Sequence, residues 1–173
     1  GHFDSSRMKH YIGEVKPRHW VKTGDMVIAN TDMTQDRVVL GSAALVPAGD
    51  SGTRFLFTHH VFAARFLVDA EATRTFAYFS LCRPEFRERV AGFATGTTVL
   101  ALPMDAILRW SVAFPSAEVL TAFQEAVEPI RKRIWQSERE SRTLAALRDT
   151  LLPKLISGEL LIPDAERIVG EVA

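Results

Sequence analysis

"PIRKRIWQSERESRTLAALRDTLL", residues 129–152, holds no glycine and no proline after the leading Pro129. It is rich in Arg, Glu, Leu and Ala, residues that lose little on entering a helix. Pro129 suits the first helical position, where its missing N–H would go unused, so the stretch reads as a helix newly begun at 129. Ile130, Ile134, Ser137, Ser141, Leu144, Leu147, Leu151 and Leu155 step by three and four. That is a heptad-like seam with a polar middle. Roughly 24 residues at 1.5 Å each make a helix about 36 Å long. Such a helix is expected to pack on something outside its own domain; the blander alternative is a long core helix. Pro153 then sits inside the apolar run "TLLPKLISGEL" (150–160). It removes a donor and crowds the carbonyl four residues back, so a kink or stop is expected near Leu152. One further turn would carry Leu155 and Ile156 before Gly158 ends the helix.

Upstream the texture is mixed. "GDMVIAN" (24–30) reads as a turn and a short strand, and "RVVLGSAALV" (37–46) as β-rich with a bend at Gly41. "PAGDSGT" (47–53) has loop composition, and "RFLFTHHVFAARFLV" (54–68) fits one or two strands. Asp69 is a candidate cap for a helix with Ala72, Phe76, Phe79 and Cys82 on one face. Pro84 opens a second helix with Phe86, Val90 and Phe93 as its apolar positions. "ATGTT" (94–98) is a turn, and "VLALP" (99–103) and "WSVAF" (110–114) read as strands around a helical turn at "MDAIL". Ser116 can cap a helix whose apolar face is Val119, Leu120, Phe123 and Val127. The fold class is therefore α+β: a β-rich domain over about 1–115, a helical region over about 116–158, and a tail over 159–173.

Composition sets outer limits. The chain has 173 residues, 47% of them hydrophobic, and its 21 Lys and Arg balance its 21 Asp and Glu. That suits a globular domain with an appendage. Zero net charge speaks against a surface basic throughout, but leaves room for a local basic face. Arg131-Lys132-Arg133 is the clearest basic run and reads first as a solvated helix face. The single cysteine, Cys82, excludes an internal disulfide and suggests a reducing cytoplasm. No apolar run approaches the roughly 18–20 residues of a membrane span, so no membrane association is expected. Gly1-His2 resembles a cleaved-tag scar, so the natural chain is expected to continue upstream.

No catalytic constellation stands out, and neither a cofactor nor a metal is expected. His59-His60, read as strand neighbours, would point to opposite faces, and their spacing to His10, His19 and Cys82 matches no zinc pattern. Cys82 falls on an apolar helix face and reads as a core residue. "GFATGTT" (92–98) has the glycines of an anion loop but not the Lys-Ser/Thr ending of a P-loop. Two alternatives stay open from the residues alone: a small-molecule or nucleotide enzyme using that loop, and a coiled-coil interaction module with no DNA role. The loops between strands collect Lys, Arg, Asn, Gln, Ser and Thr, the side chains that read base edges and hold phosphates. On side-chain type and loop position, the candidate DNA-facing residues are Lys16, Arg18, His19, Lys22, Thr31, Thr34, Gln35, Arg37, Arg54, Thr97 and Thr98.

"LRDTLLPKLISGEL" followed by "IPDAER" resembles the end of the specificity subunit of type I restriction-modification systems. "VAFPSAEVLTAFQEAVEPIRKRI" (112–134) is similar to the proline-led opening of that family's spacer, with Gln124 at the place of a frequent glutamine. "WVKTGDMVIAN" (20–30) and "ATGTTVLALPMDAILRW" (94–110) resemble its recognition-domain strand start and its Gly-Thr loop with a short helix. The resemblance runs from about 20 to 167. It implies a non-catalytic target recognition domain that reads one half of a split double-stranded DNA site. It also implies that the spacer pairs as an antiparallel coiled coil with a second recognition half or a second copy. Ile130, Ile134, Leu144, Leu147, Leu151 and Leu155 are the expected interface. Methyltransferase subunits would dock on the assembly, and the restriction subunit through them. The usual subunit has two recognition domains and two spacers; with one of each, this chain is expected to be the C-terminal half of a subunit, the alternative being a natural half-subunit.

Overall fold

The computed structural model describes residues 3–5, 8–47, 53–67 and 70–172. In chain order the elements are β1 (Trp20–Val21), β2 (Met26–Ala29), β3 (Thr31–Asp32), β4 (Ala43–Leu45), β5 (Phe55–Leu56), β6 (Val61–Ala64), α1 (Glu71–Leu81), α2 (Pro84–Ala91), β7 (Leu100–Ala101), α3 (Met104–Leu108), α4 (Ala117–Ser157) and α5 (Ile162–Val172). A single 3-10 turn, Pro17–His19, precedes β1. The fold is α+β, and the chain divides into two compact units, Gly1–Glu125 and Ala126–Ala173. None of the described helices is long and apolar enough to cross a membrane.

The first unit is organised by the turn before β2. Gly24 adopts φ +85°, where a Cβ would be strained, and its N–H donates to the Val46 carbonyl. The buried Asp25 carboxylate accepts from the Lys22 N–H at 3.0 Å and locks the turn. β2 is the centre of an antiparallel sheet ordered β4-β2-β6, with Met26 opposite Leu45 on one side and Ala64 on the other. Met26 and Ile28 alternate with half-buried Val27 and Ala29, as a strand with one core face requires. Two smaller antiparallel pairs are β1-β5 and β3-β7, with β3 and β5 interleaved in sequence with the strands of the β4-β2-β6 sheet. α1 packs on β4, and α2 on α1 and α3. Phe86 and Val90 of α2 are buried with Ile28, Leu40 and Val46.

Several local readings hold. β2 follows its glycine turn, the 54–68 stretch forms two strands, Pro84 opens α2, and "MDAIL" forms α3. Ser116 caps α4 through its hydroxyl, which accepts from the Val119 N–H. Others differ. Within 37–46 only Ala43–Leu45 is a strand, because the Val39 and Leu40 N–H groups bond to the Asp32 carboxylate and those of Arg37 and Val38 to Thr34. "WSVAF" finds no strand partner; Trp110 and Phe114 instead make edge-on ring contacts with Phe86 and Phe76, at 5.5 and 5.6 Å. α1 has Ala70, not Asp69, at its cap position. Asp69 and residues 48–52 of the expected loop lie outside the described residues.

No new helix begins at Pro129, and none stops near Leu152: α4 runs through both Pro129 and Pro153. Each proline frees one carbonyl, that of Glu125 or Asp149, and both of those residues are exposed to water, which can bond the freed group. Phe123 of α4 meets the rings of Phe79 and Phe76 at 5.7 and 6.3 Å. In the second unit, Gly158 at φ +74° ends α4, its N–H bonding the Leu155 carbonyl. The expected tail forms a helix, α5, in which Ala165 is buried.

Gly41 tests this packing. It has φ +75°, and a Cβ there would lie 2.7 Å from Val90 Cγ2, whereas Gly158, also left-handed, faces open space. Gly41→Ala should cost about 2–5 kcal/mol, backbone strain plus overpacking, and Gly158→Ala only about 1–2 kcal/mol. Urea denaturation of the two variants measures the difference. Equal losses would show that the Gly41–Val90 contact does not limit the site.

Candidate nucleic-acid interface

Four loops of the first unit are stitched into one row. The 3-10 turn meets the 57–60 loop where the Phe57 N–H donates to the His19 carbonyl at 3.0 Å. The His19 ring lies edge-on to Phe57. The 57–60 loop meets the 30–37 loop where Asn30 N–H donates to the His60 carbonyl at 3.1 Å and Thr31 Oγ1 lies 3.0 Å from His60 Nδ1. The 30–37 loop meets the 95–99 turn where Gln35 Nε2 donates to the Thr97 carbonyl at 2.7 Å. The β3-β7 pair lies at the base of that last junction, with Thr31 opposite Ala101.

Asp32 shapes the third loop. Its carboxylate is 3% exposed and accepts from Thr34 N–H and Thr34 Oγ1 at 2.7 Å each, Val39 N–H at 2.7 Å and Leu40 N–H at 3.1 Å. Burial by itself would raise the acid's pKa. The hydrogen bonds to Thr34, Val39 and Leu40 together outweigh it and hold the pKa below its ordinary 3.8. Arg87 of α2 grips the same loop from the other side. One guanidinium nitrogen donates to the Arg37 and Val38 carbonyls at 3.1 and 2.7 Å, and the other to Ser42 Oγ. Arg37 itself has φ +55°, a conformation that a residue with a Cβ rarely adopts.

A cleft of about 510 Å³ opens beside β1 and β5. Arg18, Lys22, Arg54 and Arg65 line it together with the face of Trp20 and the one carboxylate Asp25. Arg54 is exposed and lies over the Trp20 ring, its guanidinium carbon 4.2 Å from the centroid. Arg65 donates to the Arg18 and Trp20 carbonyls at 2.8 and 2.9 Å, fixing the 3-10 turn against β1.

The candidate residues thus fall into two neighbouring groups. Arg18, Lys22 and Arg54 share the cationic cleft, with His19 half-buried and Lys16 exposed beside it. Thr34, Gln35, Arg37, Thr97 and Thr98 are exposed around the Gln35–Thr97 junction, with Thr31 half-buried at its base. Sequence reading missed three organisers: Asp32, Arg65 and Arg87. Asp32 lies in a polar stretch of sequence, but nothing local marks its partners at Val39 and Leu40. His59 and His60 occupy a turn rather than a strand, with rings 3.9 Å apart. Even so, no group of three metal-binding side chains occurs among the described residues. The 92–98 loop lies between α2 and β7, a helix–loop–strand order opposite to that of a P-loop. Cys82 is half-buried at the end of α1.

In the second unit, Ile130, Ile134 and Leu144 are 61, 50 and 55% exposed, and Leu147, Leu151 and Leu155 are half-buried.

No family model matches the chain. It is 31% identical over 93 residues to the type I restriction enzyme HindI specificity subunit of Haemophilus influenzae; the match covers 53% of this chain and 20% of that protein. It is 27% identical over 99 residues to the type I restriction enzyme MjaIX specificity subunit of Methanocaldococcus jannaschii, covering 57% of this chain and 23% of that protein. The chain therefore resembles specificity subunits of type I restriction systems and spans less than a quarter of the length of these two relatives in the matched stretches.

Asp32→Ala removes the acceptor for three backbone N–H groups, those of exposed Thr34 and Val39 and of buried Leu40. At neutral pH the loss should be about 2–4 kcal/mol, roughly 1–3 kcal/mol for the stranded Leu40 N–H and less for the two that water can reach. A carboxyl whose folded pKa is depressed contributes its stability above the unfolded value and loses it as pH falls through the folded value. The gap between wild type and Asp32→Ala should therefore narrow as pH drops below 3.8. Urea titrations at neutral and acid pH measure it, and a gap independent of pH would show that the carboxylate charge does not order the loop.

Proposed function

We propose that this chain serves as the DNA-reading part of a type I restriction specificity subunit, working in the cytoplasm without chemistry of its own. Residues 1–115 act as the target recognition domain and bind one half of a split duplex site through the loop row and the cationic cleft. The region 116–158 acts as the spacer. Its stripe of Ile130, Ile134, Leu144, Leu147, Leu151 and Leu155 pairs in antiparallel fashion with a second recognition half or a second copy. That pairing sets the distance between half-sites. Methyltransferase subunits dock on the assembly, supply the S-adenosylmethionine chemistry, and bring in the restriction subunit.

The observation that carries this reading is a cationic cleft joined by hydrogen bonds to a row of polar loops, in a chain whose relatives are specificity subunits. Arg18, Lys22 and Arg54 can neutralise phosphates, the source of most of the affinity and of its salt dependence. Zero net charge on the whole chain implies weak DNA binding in isolation, with partners adding the remaining contacts. The exposed Ile130, Ile134 and Leu144 are what a helix left for a partner displays.

Two outcomes follow. Each of Arg18→Ala and Arg54→Ala should weaken binding to all duplexes alike and flatten the plot of log affinity against log salt by about 1. Equilibrium titrations over a salt series read this; an unchanged slope would place the cleft off the DNA. Leu144→Asp combined with Leu151→Asp should abolish self-association or partner binding while the first unit's circular-dichroism and denaturation signals persist. An unchanged mass by light scattering, in the self-associating form or in the partner complex, counts against the spacer.

A further inference from the structure

We propose that residues 33–39 form a pre-set base-reading loop, with Met33, Arg37 and Val38 as specificity determinants and Arg87 as its positioning residue. This rests on the DNA reading above and gives that reading a division of labour. The loop's charge differs from that of the cleft. Between 33 and 39 the one acid, Asp36, cancels the one base, Arg37. A neutral loop with an exposed carboxylate gains little from phosphates, since Asp36 would repel them. Yet it displays apolar surface to water: Met33 is 82% exposed, Val38 61% and Val39 47%.

Singly exposed apolar side chains are ordinary on a protein surface; several on one short loop mark a candidate contact surface. Here the loop is held at both ends. Asp32 accepts the Thr34, Val39 and Leu40 N–H groups, and Arg87 holds the Arg37 and Val38 carbonyls. Gln35 is tied to Thr97. Arg37 is kept at φ +55°, a conformation that persists only where its surroundings enforce it. A rigid, neutral loop with an arginine between apolar side chains matches the chemistry of base edges in the major groove. There a guanidinium pairs with guanine N7 and O6, apolar groups meet the thymine methyl, and a carboxylate can accept from the cytosine amino group. The loop is continuous with the cleft through Thr31–His60 and His19–Phe57, so phosphate grip and base reading would share one duplex.

Arg87 reaches no ligand in this scheme. It acts by fixing the carbonyls of Arg37 and Val38, in two consecutive peptides, so its replacement by lysine should blur reading without lowering charge-driven affinity. Lysine has a single ammonium and cannot reproduce the fork.

The test is selection from a randomised duplex library at low ionic strength. Wild type, Met33→Ala, Arg37→Ala, Arg87→Lys and Arg54→Ala are compared, each also titrated against random DNA over a salt series. Wild type should enrich one base pattern. Met33→Ala and Arg37→Ala should each lower the preference at one or two positions by about tenfold or more. Arg87→Lys should lower it at the same positions with its salt slope unchanged, and Arg54→Ala should keep the pattern and flatten the slope. A wild-type pattern retained in both tip variants overturns the loop assignment alone. A pattern retained in Arg87→Lys overturns its positioning role. A wild type that enriches no pattern overturns the DNA reading and the loop with it.

Discussion

A buried carboxylate must be satisfied, and Asp32 is satisfied almost entirely by the backbone of its own loop. From that constraint the surface of the first unit follows. Because the Val39 and Leu40 N–H groups turn inward to Asp32, residues 37–40 cannot extend the strand, and β4 begins at Ala43. Because Asp32 lies on β3 and β3 pairs with β7, the loop it shapes is brought beside the 95–99 turn. Gln35 then reaches the Thr97 carbonyl. Two loops more than sixty residues apart become neighbours through one acid and one strand pair.

The second determinant is the way arginine is used. Arg65 and Arg87 each cross more than forty residues of sequence to bond carbonyls of a loop. A guanidinium can hold two carbonyls at once and keep its charge, which suits it to brace a loop at a polar surface. Arg54, in contrast, is exposed and rests on the Trp20 face. Local charge therefore concentrates in the cleft although the chain as a whole is neutral. The loop at 33–39, close by along the chain of hydrogen bonds, is neutral. In the proposed reading, long-range attraction and short-range reading therefore fall to different side chains.

Much of the fold was legible because the signals are local. Gly24 with Asp25 marks the turn before β2, Pro84 opens α2, Ser116 caps α4, and Gly158 ends it. Each acts within about four residues of itself. The misreadings share the opposite cause. "RVVLG" has strand composition but serves Asp32, and "WSVAF" has strand composition but serves the rings of Phe76 and Phe86. Pro129 looks like a helix start, yet the preceding turn, anchored by Phe123 on Phe76 and Phe79, continues into it. In each case a partner distant in sequence outweighed local preference.

For the candidate site, residue type and loop position picked out Arg18, Lys22 and Arg54, which the fold brings to one cleft, but not Arg65, which lines it with them. Sequence by itself determined the α+β class, the helical C-terminal region and its apolar stripe, and the resemblance to specificity subunits, all of which depend on periodicity, caps and motifs within short windows. Tertiary structure decided which loops meet, which arginines brace and which stay open, and that Asp32 is an organiser rather than a contact. The physical reason is that a buried charge and a forked guanidinium choose partners by proximity in the fold, and proximity is set by strand pairing that no short window of sequence contains.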